Sequence, residues 1–372
     1  MKKKVLIIAT VDQHIRHFHL PLINKLNNAG YEVDVASNGN ENFENVNQKY
    51  KIPFARNPLK LQNIDAYRKL KDIIKNNNYD FIHVNTPTGS AIGRLAAKSQ
   101  RKKDTRVIYT AHGFHFYKGA SLKNWCIFFP IEFWLSKLTD ELILINEEDF
   151  KRANKFFKTP NKYLINGVGV DSTIYQKIDE KEKTLQRKKL GFEKKDTILT
   201  YVAEISKRKN QNLLIDIMKQ VVSTNDRVKL LLLGDGEYFE FIRKKVNDYN
   251  LQDNVSLLGY KTNVVDYLQI SDIYISTSLQ EGLPVNVIEA QFCELPCIVS
   301  NCRGNIDLVF DEKNGYVVDM NEKTIEAFTN KILNLTENPT LRKDMGLQNT
   351  NYVKKYDVKT ITNEIANLYM RD

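Results

Sequence analysis

Residues 272–289 read DIYISTSLQEGLPVNVIE: a short apolar run, a loop of small and polar residues, then Gly282, Pro284 and the opening of a helical pattern. A strand, a turn and a helix in that order make one βα unit. Gly282 permits a tight turn and close backbone approach to a ligand. Pro284 suits the first helical turn, where no N–H is required. The free N–H groups near Val285 and Asn286 are suited to hold a diphosphate, helped by the helix dipole. Glu289, about a turn further in, is placed to present a carboxylate to a pair of ribose hydroxyls, while Glu281 reaches a different part of the ligand. The same residues also fit an exposed loop and a capped helix, so spacing alone leaves both readings open.

The pattern repeats outward in both directions. Apolar β-branched runs at 5–10, 31–37, 81–85, 107–111, 142–146 and 163–165 predict strands, and so do those at 198–203, 228–234, 255–259, 273–277, 297–301 and 316–319. Helical patterns fall between them, at 20–29, 64–75 and 89–98, then at 211–222, 238–249, 264–270 and 284–293. Such alternation means parallel sheets built from βαβ units, an α/β fold. The charged stretch QKIDEKEKTLQRKKLGFEKK at 176–195 reads as an exposed linker carrying a short helix. The expected organisation is a Rossmann-like domain over 1–172, a linker over 173–195 and a second Rossmann-like domain over 196–357. The segment from 358 to 372 has Ile361, Ile365 and Leu368 at helical spacing and is expected to pack back on the first domain. Ligands are expected in a cleft at the carboxyl ends of the strands.

At 372 residues, with 42% hydrophobic and 27% charged, the chain is long enough for two cores without disulfide or metal staples. No apolar run approaches a membrane span. The amino-terminal apolar stretch, Val5 to Ala9, is too short for a signal peptide and reads as the first strand. Cys126, Cys293, Cys297 and Cys302 lack zinc-ligand spacing and suit reduced thiols, so a cytoplasmic protein is expected. The formal net charge of +10 is uneven: up to Asp171 there are 27 Lys and Arg against 16 Asp and Glu, and the remainder carries about −1. That asymmetry fits either a solvated lysine-rich face or attraction to an anionic surface or ligand. Nucleic acid is not expected, since no base-reading motif is present.

The segment Glu281 to Glu289, with EAQFCELPCIVSN following, resembles the Glu-x7-Glu signature of the family-4 glycosyltransferases of GT-B fold. INGVGVD (165–171) is similar to the turn that closes that family's first domain. Gly234-Asp235-Gly236 resembles its Gly-x-Gly after a second-domain strand. YTAHGFHFYKG (109–119) looks like the branch that acts in bacterial capsule and exopolysaccharide assembly. The resemblance covers essentially the whole chain and implies particular roles. Glu289 holds the nucleotide ribose; Glu281 contacts the donor sugar or assists departure of the diphosphate. Gly282, Leu283, Pro284, Val285 and Asn286 form the loop that supplies amides to donor phosphate and sugar. The family's Arg and Lys diphosphate clamp is matched at 203–210, with Lys209 in the Lys place but Glu204 where the Arg is expected. Arg208 is the available substitute.

His112 follows a strand end. A lone His is more often structural, but the family's Thr-x-His-Gly implies contact with the donor sugar beside the anomeric carbon. His14, His17 and His19 crowd the first loop without a recognised metal pattern, so no metal is expected. His14, Arg16 and His17 are acceptor-side candidates that would contact phosphate through cationic side chains, and Asn85 and Thr86 line the same side. No Asp-x-Asp is present, so activity in excess EDTA is expected. Residues 122–138, LKNWCIFFPIEFWLSKL, fit either an interfacial membrane anchor or a core helix pair interrupted at Pro130.

The resemblance implies a retaining enzyme, needing no cofactor, that moves a sugar of N-acetylhexosamine type from a UDP-sugar to a polyprenyl-diphosphate-linked saccharide. The expected partners are that nucleotide sugar, that lipid-linked acceptor and the anionic inner leaflet of the membrane. A UDP-sugar 2-epimerase of the same fold and a non-catalytic, membrane-docked partner of another transferase are the alternatives.

Overall fold

The computed structural model describes residues 2–55, 57, 60–101 and 104–371. The chain divides into two compact units: residues 1–169 with 358–372, and residues 170–357.

In the first unit the strands are β1 (Lys4–Val11), β2 (Glu32–Asn38), β3 (Lys49–Lys51), β4 (Phe81–Asn85), β5 (Arg106–Ala111), β6 (Glu141–Leu144) and β7 (Asn161–Leu164). They form one parallel sheet in the order β3-β2-β1-β4-β5-β6-β7. Alternation along β1 serves both faces. Leu6 and Ile8 join one buried cluster, and Val5, Ile7 and Ala9 join the other, as expected of a strand covered on both sides. The carboxy-terminal helix Val358–Met370 completes the second of these clusters with Ile361, Ile365, Leu368 and Tyr369. The Tyr31 hydroxyl donates to the Tyr369 carbonyl at 2.9 Å, and the Tyr369 hydroxyl lies 2.6 Å from His83 Nδ1.

The second unit repeats the plan with β8 (Thr197–Val202), β9 (Val228–Leu233), β10 (Val255–Gly259), β11 (Ile273–Ser276), β12 (Cys297–Ser300) and β13 (Gly315–Val318). The order is β10-β9-β8-β11-β12-β13, again parallel. In both sheets the connections change direction beside the first strand of the unit, at β1/β4 and at β8/β11. Those two switch points are where open α/β sheets bind ligands. Gly234 and Gly236, with φ of 142° and 159°, let the turn after β9 press on the backbone of residues 203–205. A Cβ on Gly234 would lie 1.9 Å from the Ala203 carbonyl oxygen.

Three features differ from the sequence reading. Residues 12–18, expected as loop, form the helix Asp12–Phe18. Its polar sequence hides the helical period, and Asp12 is fixed by the Ser37 hydroxyl at 2.6 Å, the Glu41 N–H at 2.9 Å and Lys49 at 2.8 Å. Residues 122–135 form a single helix that runs through Pro130 on its exposed side rather than a pair of helices. The charged stretch read as a linker belongs to the second unit. Within the helix Glu180–Lys189, Arg187 is buried, donating to the Ile270 carbonyl and pairing with Asp272 at 2.7 Å.

Candidate active site

At the β8/β11 switch point, one carboxylate collects several cations. Glu281 is buried and accepts from Lys209 Nζ and from the Ser278 hydroxyl, each at 2.5 Å. Arg208 Nη1 lies 3.5 Å from its other oxygen and donates to the Gln280 carbonyl at 3.0 Å. Arg303 Nε donates to the Glu281 carbonyl at 3.1 Å. Lys209 and Arg208 thus sit on Glu281 from the loop after β8, and Arg303 joins from the loop after β12. Positive charge is in excess at the head of the next helix, which suits an anionic ligand. Ser206, on the same loop as Lys209, has a buried hydroxyl with no partner among the described residues. Glu204, standing where the clamp Arg is expected, is exposed.

That helix is Val285–Phe292, with Pro284 as its N-cap at φ −77° and ψ 106°. Pro284 therefore precedes the helix rather than opening its first turn. The amides of Gly282, Leu283, Val285 and Asn286 find no protein acceptor among the described residues. The Asn286 side chain is committed elsewhere: its Nδ2 donates to the Val202 carbonyl at 2.5 Å, tying the helix to the end of β8. Glu289 lies one turn in, bonded by the Tyr175 hydroxyl, and burial pushes its carboxyl up to about 7.

The first unit presents a different chemistry at its own switch point. The Thr10 and Thr86 hydroxyls, at the ends of β1 and β4, are 2.6 Å apart, and the Gly89 N–H donates to Thr10 Oγ1 at 3.2 Å. Thr86 holds φ 62° to start the helix Pro87–Arg101. Asn85 is fully buried, yet neither polar atom of its side chain has a partner among the described residues. Such a group, costly to leave unpaired, is a candidate for an incoming hydroxyl. His112 follows β5, and its Nε2 is 3.2 Å from His14 Nε2. Behind them lie His19, buried with an unpartnered Nε2, and His83, bonded to the Thr110 hydroxyl at 2.8 Å. Burial holds His112 down to about 4 and His14 to about 2, with neighbouring imidazoles adding to the fall for His14. Both rings are therefore neutral at neutral pH.

Burial thus works against the expected contact of His14 with phosphate as a cation, because it favours the neutral ring. Arg16 is exposed and paired with Glu41 at 2.7 Å, and His17 is exposed with its Nδ1 on the Gln13 carbonyl at 2.7 Å. Neither joins the His14–His112 group. Sequence reasoning missed Thr10, His83, Tyr175, Ser278 and Arg303. Ser278, three residues before Glu281, carried a local signal. The others come together only through folding.

Residues 182–352 match the model described as glycosyl transferases group 1, and residues 4–146 match that of glycosyl transferase 4-like proteins. The protein named glycosyltransferase EpsD in Bacillus subtilis (strain 168) is 35% identical over 370 residues, covering 99% of this chain and 97% of its own. The chain belongs to the family-4 glycosyltransferases of polysaccharide biosynthesis. A second relative of this glycosyltransferase is the UDP-Gal:alpha-D-GlcNAc-diphosphoundecaprenol alpha-1,3-galactosyltransferase of Escherichia coli, 28% identical over 84% of this chain and 82% of its own. Among solved structures, Anabaena HepE in complex with UDP and glucose superposes with a TM-score of 0.79 at 18% identity, covering 99% of each chain. That likeness establishes the GT-B fold. Within the glycosyltransferase, the Glu281 cluster and the helix carrying Glu289 lie inside residues 182–352, and His112 lies inside residues 4–146, the two matched ranges.

Proposed function

We propose that this glycosyltransferase moves a sugar of N-acetylhexosamine type from a UDP-sugar to a polyprenyl-diphosphate-linked saccharide, with retention and without a divalent ion. The observation that carries the reading is the second unit's constellation. Lys209, Arg208 and Arg303 surround Glu281 immediately before unpaired helix-initiating amides, and a ribose-suited carboxylate follows one turn later. The cations and amides offset the charge that develops on the departing diphosphate. Glu281 keeps Lys209 oriented and faces the sugar, and Glu289 takes the ribose diol.

Retention without a covalent intermediate is favoured by the state of the nearest carboxylate after β1. Burial alone would raise the Asp12 carboxyl, but Lys49, Ser37 and the Glu41 N–H hold it below the usual range and occupy its oxygens. Front-face attack then leaves the proton to the departing diphosphate, and His112 and Asn85 orient the reacting groups. The relative that acts on a diphosphoundecaprenol-linked sugar supports the acceptor class.

Such an acceptor lies at a membrane. No helix among the described residues is long and apolar enough to cross one. The helix Leu122–Leu135 instead packs Trp125, Phe129 and Phe133 inward and leaves Ile127, Ile131 and Trp134 exposed along one stripe. We place that stripe, with Lys123 and Lys137 at its ends, in the headgroup region of the anionic inner leaflet.

The test is release of UDP from a panel of UDP-sugars, with and without a polyprenyl-diphosphate-linked saccharide, in excess EDTA. Acceptor-dependent turnover that falls at least about 100-fold in His112→Ala and Glu281→Gln, with an α-linked product from an α-donor, is expected. Interconversion of the UDP-sugar without acceptor and without net release of UDP would instead indicate the epimerase alternative, and loss of activity in EDTA would remove the metal-free mechanism.

A further inference from the structure

The imidazoles of His14, His19 and His112 converge with no carboxylate among them. Their ligand-capable nitrogens all lie within 4.8 Å of one another, and the His14 and His112 Nε2 atoms are only 3.2 Å apart. Two nitrogens held at about 2.0–2.1 Å on a tetrahedral cation stand roughly 3.3 Å apart, so this pair already has a metal-binding spacing. The third ligand needs a shift of about 1.5 Å to meet that same geometry. His19 supplies the independent sign of a missing partner. It is 4% exposed, sits at the end of the helix Asp12–Phe18, and its Nε2 has no hydrogen-bond partner among the described residues. A buried, unsatisfied ring nitrogen beside two other imidazoles is unfavourable unless something occupies the gap.

We propose that His14, His19 and His112 form a binding site for a transition-metal cation of the zinc class, which holds the glycosyltransferase inactive by taking His112 away from the sugar. An all-imidazole donor set selects Zn2+, Co2+, Ni2+ or Cu2+ and offers little to Mg2+ or Ca2+, which prefer oxygen. The site is therefore unrelated to the oxygen-bound divalent ion of metal-dependent transferases. Three protein ligands leave a fourth position for water. The ring packing gives the site rigidity: His14 lies with its ring centroid 4.7 Å from His112 and 5.1 Å from His19, and His83 backs His19 at 6.0 Å. His17, the remaining member of the sequence cluster, is exposed and bonded to the Gln13 carbonyl, so it takes no part.

Metal binding is independent of the transfer reaction, whereas the inhibition rests on the role given to His112 above. The experiment separates the two. The full chain is titrated with Co2+ while the visible absorption is followed, and then with Zn2+ in competition. One Co2+ per chain with intense tetrahedral bands, displaced by Zn2+, is expected. His19→Asn should weaken Co2+ affinity by about 100-fold or more, beyond the loss typical of an outer-shell change, while His17→Asn should leave it unchanged. His14→Ala, at a more exposed position, gives the same reading should His19→Asn fail to fold. Absence of the bands in the wild type, or affinity undiminished from the wild type in the His14 and His19 variants, overturns the site. In the UDP-release assay, stoichiometric Zn2+ should abolish turnover and EDTA restore it. Turnover unaffected by bound Zn2+ overturns the inhibitory role.

Discussion

Lys209 and Glu281 are both more than nine-tenths buried, and a buried pair broken on one side leaves an uncompensated charge, at a typical cost of about 3–5 kcal/mol. Glu281 retains the Ser278 hydroxyl and Arg208 when Lys209 is lost, which places Lys209→Met near the lower bound, about 3 kcal/mol by urea unfolding. The same change should raise the donor KM by at least about tenfold through a lost charge-assisted contact worth roughly 1.5–3 kcal/mol. An unchanged KM would remove Lys209 from the diphosphate site. Glu289 gives a pH dependence of opposite sense to an ordinary salt-bridged acid. Its carboxyl titrates near 7 in the folded chain against 4.5 ordinarily, because burial disfavours the charge despite the Tyr175 bond. Between about pH 4.5 and 7 the folded state therefore keeps a proton that the unfolded chain has lost, and this group's contribution to stability falls as pH rises through that window. Relative to wild type, Glu289→Gln should gain stability steadily from pH 5 to pH 7 and then level off. Donor affinity should improve in the wild type as the carboxylate forms around pH 7 and stay flat in the variant. Parallel stability curves for the two proteins would show that burial does not raise this acid.

The helix Leu122–Leu135 separates its two readings by face. Arg94, buried in the helix Pro87–Arg101, binds both oxygens of Glu132 at 2.9 and 3.0 Å, and Trp125 donates to the Tyr117 carbonyl at 3.3 Å. The inward face is thereby fixed, and the outward stripe contributes little to folding. Ile127→Ser, Ile131→Ser and Trp134→Ser together should abolish co-sedimentation with anionic phospholipid vesicles at low salt, yet leave the unfolding midpoint nearly unchanged, as surface substitutions usually do. Wild-type protein that stays in the supernatant would detach this helix from the membrane. The elements show which physical signals the sequence carried. Fully buried parallel strands such as β1 and β11 are continuous apolar runs and were legible. β3 is a three-residue, half-exposed edge strand, Lys-Tyr-Lys, with no apolar pattern to read. The helix Asp12–Phe18 buries only Asp12 and Ile15, so tertiary bonds to Asp12 decide it rather than periodicity. The Glu281–Glu289 half of the site was legible because its residues are close in sequence. The His14–His112 pair is separated by 98 positions, and Tyr175 and Arg303 reach their partners only through the sheet order.

The whole chain builds one sheet plan twice, and it closes the first unit with its last helix. Residues 170–357 form a continuous segment with their own core, whereas the first unit is completed only by residues 358–372. That helix brings Ile361, Leu368 and Tyr369 against β1, β4 and the helix Leu20–Asn28, and it caps His83 through the Tyr369 hydroxyl. Ending the chain after Asp357 would uncover the apolar side chains that Ile361, Leu368 and Tyr369 pack against, a loss of about 1.5–3 kcal/mol for each large side chain. It would also leave His83 Nδ1 without its partner. Hydrogen exchange resolves where that loss falls. Amides of β1, β4 and the helix Leu20–Asn28 should exchange about 100-fold faster or more, following the lost burial energy, while those of β8, β9 and β11 keep their protection. UDP added to the intact chain should act on the second unit, slowing exchange at residues 205–210 and 281–289, because it binds only the folded site. Loss of protection in β8 and β11 on truncation, or UDP protection confined to the first unit, would contradict the division of labour proposed here: His112 and unpaired Asn85 to orient the reacting groups in one unit, cations and helix amides for the donor diphosphate in the other.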